Sequence, residues 1–88
     1  MPSRATALHQ LQAIPGVGKS IARDFYDIGI HSIADLRSEH PDALYEKICL
    51  RAGQHVDRCM LYVCRCAVYF ATTAHPDPEK LQWWKWKD

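Results

Sequence analysis

The residues best placed to do chemistry stand together near the start of the chain: Gly16-Val17-Gly18-Lys19-Ser20, directly after Ile14 and Pro15. Pro15 cannot prolong a helix that precedes it, because it lacks an N–H and its ring clashes with the turn before. Gly16 and Gly18 permit backbone angles and close approaches that a Cβ would block. If Gly18 opens a new helix, the N–H groups of that helix's first turn have no partner within it. The same end carries the positive pole of the helix dipole, so it suits an anion. Lys19 and Ser20 add a charge and a hydroxyl. The chemistry predicted is phosphate binding. It is not that of a nucleotide-binding P-loop, whose glycines are spaced further from the Lys and which follows a strand. Only Gly18-Lys19-Ser20 fits that pattern.

Four cysteines, Cys49, Cys59, Cys64 and Cys66, raise the question of a metal or a disulfide. On one helix Cys59 and Cys66 would share a face about 10 Å apart, with Cys64 and Cys66 pointing nearly opposite ways. Tetrahedral zinc, with bonds of about 2.3 Å, cannot gather them. Cα separations above about 7 Å do not bridge either. Buried, reduced thiols packing as small hydrophobes are expected. The histidines, His9, His31, His40, His55 and His75, form no recognisable i,i+4 metal pattern with one another or with a carboxylate. No catalytic residue and no metal is assigned.

The elements that must position these residues read as helices. Leu8, Leu11 and Ile14 recur at three-residue spacing, and Ile21, Phe25 and Ile28 at four and three. Each set is one face of a helix. A first helix over 4–13 with Ser3 as N-cap is predicted, and a second over 19–28. Gly29 stands where a left-handed cap is expected, followed by apolar Ile30. Ser32-Ile33-Ala34-Asp35 has capping-box spacing and starts a short third helix ending near Arg37. Pro41 fits the first turn of a fourth, whose apolar face is Leu44, Tyr45, Ile48 and Cys49 and which Gly53 ends.

The fifth helix, 56–73, is apolar over most of its circumference. Val56, Met60, Val63, Ala67 and Phe70 make one stripe; Cys59, Tyr62, Cys66 and Tyr69 make a second. Asp57, Arg58, Leu61, Arg65 and Val68 take the remaining face. Such a helix is buried by its neighbours, so the others should wrap around it. Arg58 and Arg65 on its polar edge would pair with acids of other helices or offer a second phosphate contact. In the tail, Asp77 and Pro78 read as the N-cap and first residue of a helical turn. Leu81, Trp84 and Trp83 share helical spacing, so at least two indoles should fold back onto the core. Lys85 and Lys87 should stay solvated.

Composition narrows the class. At 48% hydrophobic and 24% charged, the chain is ordinary for a globular protein. A net charge of +1 does not announce a nucleic-acid binder, so any basic footprint must be local. Met1-Pro2-Ser3-Arg4 has no apolar run of a leader type, and the apolar stretch 60–74 contains Arg65 and is too short to span a bilayer. A cytoplasmic protein with no membrane contact is expected.

Residues 11–28, with Ile14-Pro15-Gly16-Val17-Gly18 and then Ala22 and Phe25, closely resemble the helix-hairpin-helix motif of DNA repair and replication proteins. Over nearly its whole length the chain also resembles small bacterial helix-hairpin-helix proteins of the pathogenicity-locus and mitomycin-resistance-like kind. The run Cys59-Met60-Leu61-Tyr62-Val63-Cys64-Arg65-Cys66-Ala67-Val68-Tyr69-Phe70 and the Trp-rich tail carry that likeness. The motif implies that the backbone N–H groups of Gly16, Val17 and Gly18 hold a phosphate, with Lys19, Ser20 and Arg23 on the same and adjacent phosphates. It also implies a monovalent cation, K+ or Na+, held by the carbonyls of Gln12, Ile14 and Val17. No other cofactor is expected.

The expectation is therefore an all-α domain of about five helices, a helix-hairpin-helix followed by short helices around a central hydrophobic one. The domain spans 1–76, with 77–88 packing back on it. It would bind the backbone of double-stranded DNA weakly, without sequence preference and without catalysis. It would act as an accessory to DNA repair or processing, or as a homodimer offering two hairpins. The rival is a protein-interaction module that docks a partner through the Trp-rich tail and uses the hairpin only for packing. Acidic Asp24 or Asp27 crowding the loop would favour the rival; an open loop favours DNA.

Overall fold

Four α-helices carry the chain: α1 (Arg4–Leu11), α2 (Lys19–Asp27), α3 (Pro41–Ala52) and α4 (Cys59–Thr72). Three short 3-10 helices, Ala34–Ser38, Pro78–Leu81 and Trp83–Trp86, complete it. The computed structural model describes residues 3–87; residues 1, 2 and 88, at the outer ends of the segments predicted as 1–76 and 77–88, lie outside the described residues. Among the described residues there is no strand, and the fold is all-α as the periodicity predicts.

Local signals set most of the boundaries. The Ser3 hydroxyl accepts the Thr6 N–H at 3.2 Å and starts α1. α2 ends in a Schellman turn: Gly29 is left-handed at φ 98°, and the Ile30 N–H reaches back to the Phe25 carbonyl at 2.9 Å. The third predicted helix is real but winds as 3-10, its start fixed by Ser32 Oγ accepting the Asp35 N–H and Asp35 Oδ2 accepting the His31 N–H. Pro41 opens α3 and left-handed Gly53 closes it.

The start of α4 departs from the prediction. The helix begins at Cys59 and not at 56, because residues before it are tied to α3. The Tyr45 hydroxyl donates to the Val56 carbonyl, and the Val56 N–H donates to Cys49 Sγ at 3.4 Å. Asp57 Oδ1 then caps the Cys59 N–H at 2.8 Å. In consequence Cys59 is exposed at the helix end and does not join the inner stripe, whereas Leu61, assigned to the outer face, is buried at 4% exposure.

α4 sits at the centre, packed by α3, by Ala34–Ser38 and by the tail, while α1 and α2 pack on each other. Arg37 caps the far end of α4, its Nε donating to the Ala71 carbonyl at 3.1 Å. One apolar core runs from Leu11, Ile14, Val17 and Phe25 through Leu36, Leu44 and Ile48 to Val63, Cys64 and Ala67. Burying each large aliphatic in it contributes about 1.5–3 kcal/mol. None of the described helices is long and apolar enough to cross a membrane.

The tail lies on α4 with different indoles inward than predicted. Trp83 and Trp86 are half-buried, and Trp84 is 49% exposed. The reason is the winding: at three residues per turn, positions 83 and 86 eclipse, and position 84 turns out. No indole is fully buried, so the expectation of two largely buried tryptophans is met only in part.

Candidate nucleic-acid interface

The loop between α1 and α2 starts by bonding back to α1, Ala13 and Ile14 donating to the Gln10 and Leu11 carbonyls, and then makes one internal turn. The Val17 N–H, one of the amides expected to hold a phosphate, donates to the Ile14 carbonyl at 3.0 Å, and both side chains enter the core. Gly16, with φ 84°, needs to be glycine. Gly18 does not need it for its angles, being extended at φ −94° and ψ −169°. A Cβ placed on Gly18 would meet nothing within 4 Å, so its face is open to solvent.

Gly18 is the N-cap of α2 and has no side chain to offer the helix. Among the described residues, no hydrogen bond is made by the backbone N–H groups of Gly18, Lys19, Ser20 and Ile21. Lys19 and Ser20 are exposed beside them, and Arg23 is exposed one turn on. Lys19 and Arg23 line a groove of about 300 Å³ with Ala5, Leu8, His9 and Gln12 of α1 and its end. No carboxylate lines that groove. A third cation of the same helix pair, Arg4 at the start of α1, lies away from the loop, its guanidinium 5.4 Å over the ring of Tyr26 in the last turn of α2.

The acids of α2 face elsewhere. Asp27 pairs with Arg51 of α3 at 3.6 Å. Asp24 is half-buried against Ile28, Ile48, Arg51 and Val56. That burial, with the charge of Asp27 adding to it and Arg23 opposing, raises its carboxyl above the ordinary value. Neither acid crowds the loop.

Other predicted groups go to structural work. Arg65 does not present itself to an anion from α4; its guanidinium donates to the Trp86 carbonyl at 2.7 Å and lies over Tyr62. Cys64 is buried between helices, and burial, with Cys49 nearby, pushes its thiol up to about 12. Cys66 is raised by burial as well, and its thiol donates to the Lys80 carbonyl at 3.6 Å, holding the tail. Such thiols are poor nucleophiles and poor metal ligands. Among the described residues no three His, Cys, Asp or Glu side chains come together.

With this geometry in hand, likeness to other proteins can be weighed. The sequence pattern of the family described as Pathogenicity locus (Cdd1) matches residues 4–88. The chain belongs to that family. It is also similar to the mitomycin resistance protein McrB of Streptomyces lavendulae, 39% identical over 74 residues that cover 84% of this chain and 67% of that protein. No solved structure matches. The Pathogenicity locus match takes in the tryptophan-rich tail together with the loop, and the structure joins the two physically.

The joining residue is one that sequence reasoning missed. The five-membered ring of Trp83 lies over Gly16, so close that a Cβ there would stand 2.9 Å from its Cδ1. Nothing in the sequence links positions 16 and 83. The only hint was the presence of a glycine where a left-handed turn and a large aromatic elsewhere both needed room.

Proposed function

We propose that this Pathogenicity locus protein binds double-stranded DNA through its backbone phosphates, with α1, the loop and α2 working as a helix-hairpin-helix. The single observation that carries this reading is the uncapped start of α2, whose first four N–H groups have no hydrogen-bond partner among the described residues, beside Lys19 and Arg23 in a groove that no carboxylate lines. Gly18, Lys19 and Ser20 would supply amides to one phosphate, Gly16 would shape the approach, and Lys19 and Arg23 would meet neighbouring phosphates. Contacts of this kind position a duplex and read no bases. They need no bond-breaking group, and the role proposed is binding without catalysis. An accessory role in DNA repair or processing follows, with a homodimer doubling the contacts.

The carbonyls of Gln12, Ile14 and Val17 are the right donors for K+ or Na+, hard cations that take oxygen ligands. Ile14 already accepts one N–H and keeps a second lone pair for an ion. The cation would supply positive charge beside the phosphate.

The rival, a protein-interaction module built on the tail, expects indoles in solvent; Trp83 and Trp86 are packed inward. Fluorescence polarisation of a labelled duplex at two salt concentrations tests the choice. Two to four neutralised phosphates give log K a slope on log salt of about −2 to −4. Absence of binding at low salt and near-millimolar protein would end the DNA reading, and a flat salt response would end the phosphate mechanism.

A further inference from the structure

The first half of the loop is tied to α1, Gln12, Ala13 and Ile14 donating to the His9, Gln10 and Leu11 carbonyls, and Ile14 and Val17 are anchored in the core. Beyond them one turn bond, Val17 to Ile14, closes it, and no side chain hydrogen-bonds to its backbone among the described residues. Gly16, between the two anchors, is met from outside by the Trp83 ring. That ring is in turn set by α4 and not by the loop. The Trp86 carbonyl receives Arg65 at 2.7 Å, and the Trp86 Nε1–H donates to the Lys80 carbonyl at 2.7 Å. The Asp77 N–H donates to the Tyr69 hydroxyl at 2.9 Å, and the Tyr69 and Trp86 rings lie 5.3 Å apart. The Trp86–Lys80 bond closes the tail on itself; the other three contacts, with the Cys66 thiol donating to the Lys80 carbonyl as a fourth, fix the tail on the central helix on either side of Trp83.

We propose that Trp83 is a positioning residue of the phosphate-binding loop, so that tail docking and loop geometry are one equilibrium. Its occupied face is Gly16, the residue whose left-handed angle turns the chain towards Gly18. With the ring seated, Gly16 has one conformation and the amides of Gly18, Lys19 and Ser20 converge outward. With the ring gone, the space beside Gly16 opens and the turn keeps a single bond. By linkage, an anion that binds the seated loop also tightens the tail. The proposal rests on the DNA reading for its ligand, but the coupling itself can be read without one.

The two glycines provide the test, with the Trp83 variants separating the ring contact from the strain that a side chain also brings to the left-handed angle of Gly16. A Cβ at Gly16 meets Trp83, and one at Gly18 meets nothing. In protein labelled with 5-fluorotryptophan, the Trp83 resonance is assigned from Trp83→Phe. Gly16→Ala is expected to move it towards its denatured position, and Gly18→Ala to leave it in place. Trp83→Ala is expected to weaken duplex binding about tenfold, with Trp83→Phe restoring most of it. Adding duplex to the parent should narrow and shift the Trp83 line more than that of Trp86. A Trp83 resonance untouched by Gly16→Ala would overturn the coupling. So would a folded Trp83→Ala protein that binds duplex as the parent does. If the parent binds no duplex, the DNA reading fails, and the glycine pair still decides whether loop and tail move together.

Discussion

Two loops of similar length join helices in this protein; both bond back to the helix before them, and they differ in how they enter the helix that follows. The α3–α4 loop, residues 53–58, closes on itself. Gly53 and Gln54 donate to the Leu50 and Cys49 carbonyls, Val56 donates to Cys49 Sγ and accepts from Tyr45, and Asp57 caps Cys59. The α1–α2 loop also bonds back to the helix before it, Gln12, Ala13 and Ile14 donating to the His9, Gln10 and Leu11 carbonyls and Val17 to that of Ile14, but it hands α2 an N-terminus without a side-chain cap. The neighbouring helices are not built that way: Ser3 caps α1, His40 Nδ1 caps α3 and Asp57 caps the first residue of α4. A cap at a helix start is worth about 1 kcal/mol, and Gly18 forgoes its side-chain part. On the proposed function, the uncapped start of α2 is the one that would meet a ligand.

The largest test of this contrast is to cut the chain after Pro76. That removes Trp83 and Trp86 with their fastenings and should cost about 2–4 kcal/mol, lowering Tm by about 10 °C or more by calorimetry. The contrast predicts where the loss appears. Amide exchange should quicken in the α1–α2 loop, which loses its prop, and hold in 53–56, whose bonds run to α3. Equal loosening of both loops would break the comparison.

Next is the closed loop itself. Tyr45→Phe deletes a hydroxyl that donates to the Val56 carbonyl and bonds with His55 Nε2 at 3.3 Å. Leaving a part-buried carbonyl short of its donor should cost about 1–2 kcal/mol in a denaturant titration. Duplex affinity should not move.

The sequence showed the first of these loops more clearly than the second. Pro15, Gly16 and Gly18 punctuate the chain locally, and the cap and stop residues of α1, α2 and α3 act within a few positions of themselves. The α3–α4 loop depends on Tyr45 and Cys49 reaching across from α3, which is why the start of α4 was read at 56 and not at Cys59. The tail failed for a different reason. A 3.6-residue period selects Leu81 and Trp84, whereas the chain winds there at three residues and turns in Trp83 and Trp86. The residues of the candidate phosphate site were legible because a helix start exposes its amides whatever the rest of the fold does. Their prop, Trp83, was not, since a contact between positions 16 and 83 leaves no local trace.

A smaller change should exchange the character of the open loop for that of the closed one. Gly18 is extended and faces open space, so Asp fits there without strain. Gly18→Asp supplies the missing cap and a negative charge at the positive end of α2. Stability should rise by about 0.5–1 kcal/mol. Duplex binding should fall about tenfold or more, because the carboxylate takes the same amides and repels phosphate. A variant both more stable and equally tight in binding would show that those amides are not the site.

The smallest effect is a difference in pH response between the two regions, and its sign separates them. Asp57 in the closed loop is held below its ordinary value of 3.8, chiefly by accepting the Cys59 N–H. A depressed carboxyl stabilises the fold above its unfolded pKa, and that stability is lost as pH falls through the folded value. Asp24 behind the open loop is raised above 3.8 by burial and by Asp27. Here the folded state holds its proton longer than the unfolded one, so stability falls as pH rises through the unfolded and then the folded value. Asp57→Asn should therefore flatten the acid side of a Tm-against-pH curve. Asp24→Asn should instead lift its neutral side, because a neutral amide bears no burial penalty that grows with pH. Both curves, taken between about pH 3 and 7, need only relative shifts. Parallel curves for the two variants would mean that the two carboxylates share one environment, and the opposition between a closed and an open loop would fail at the level of charge.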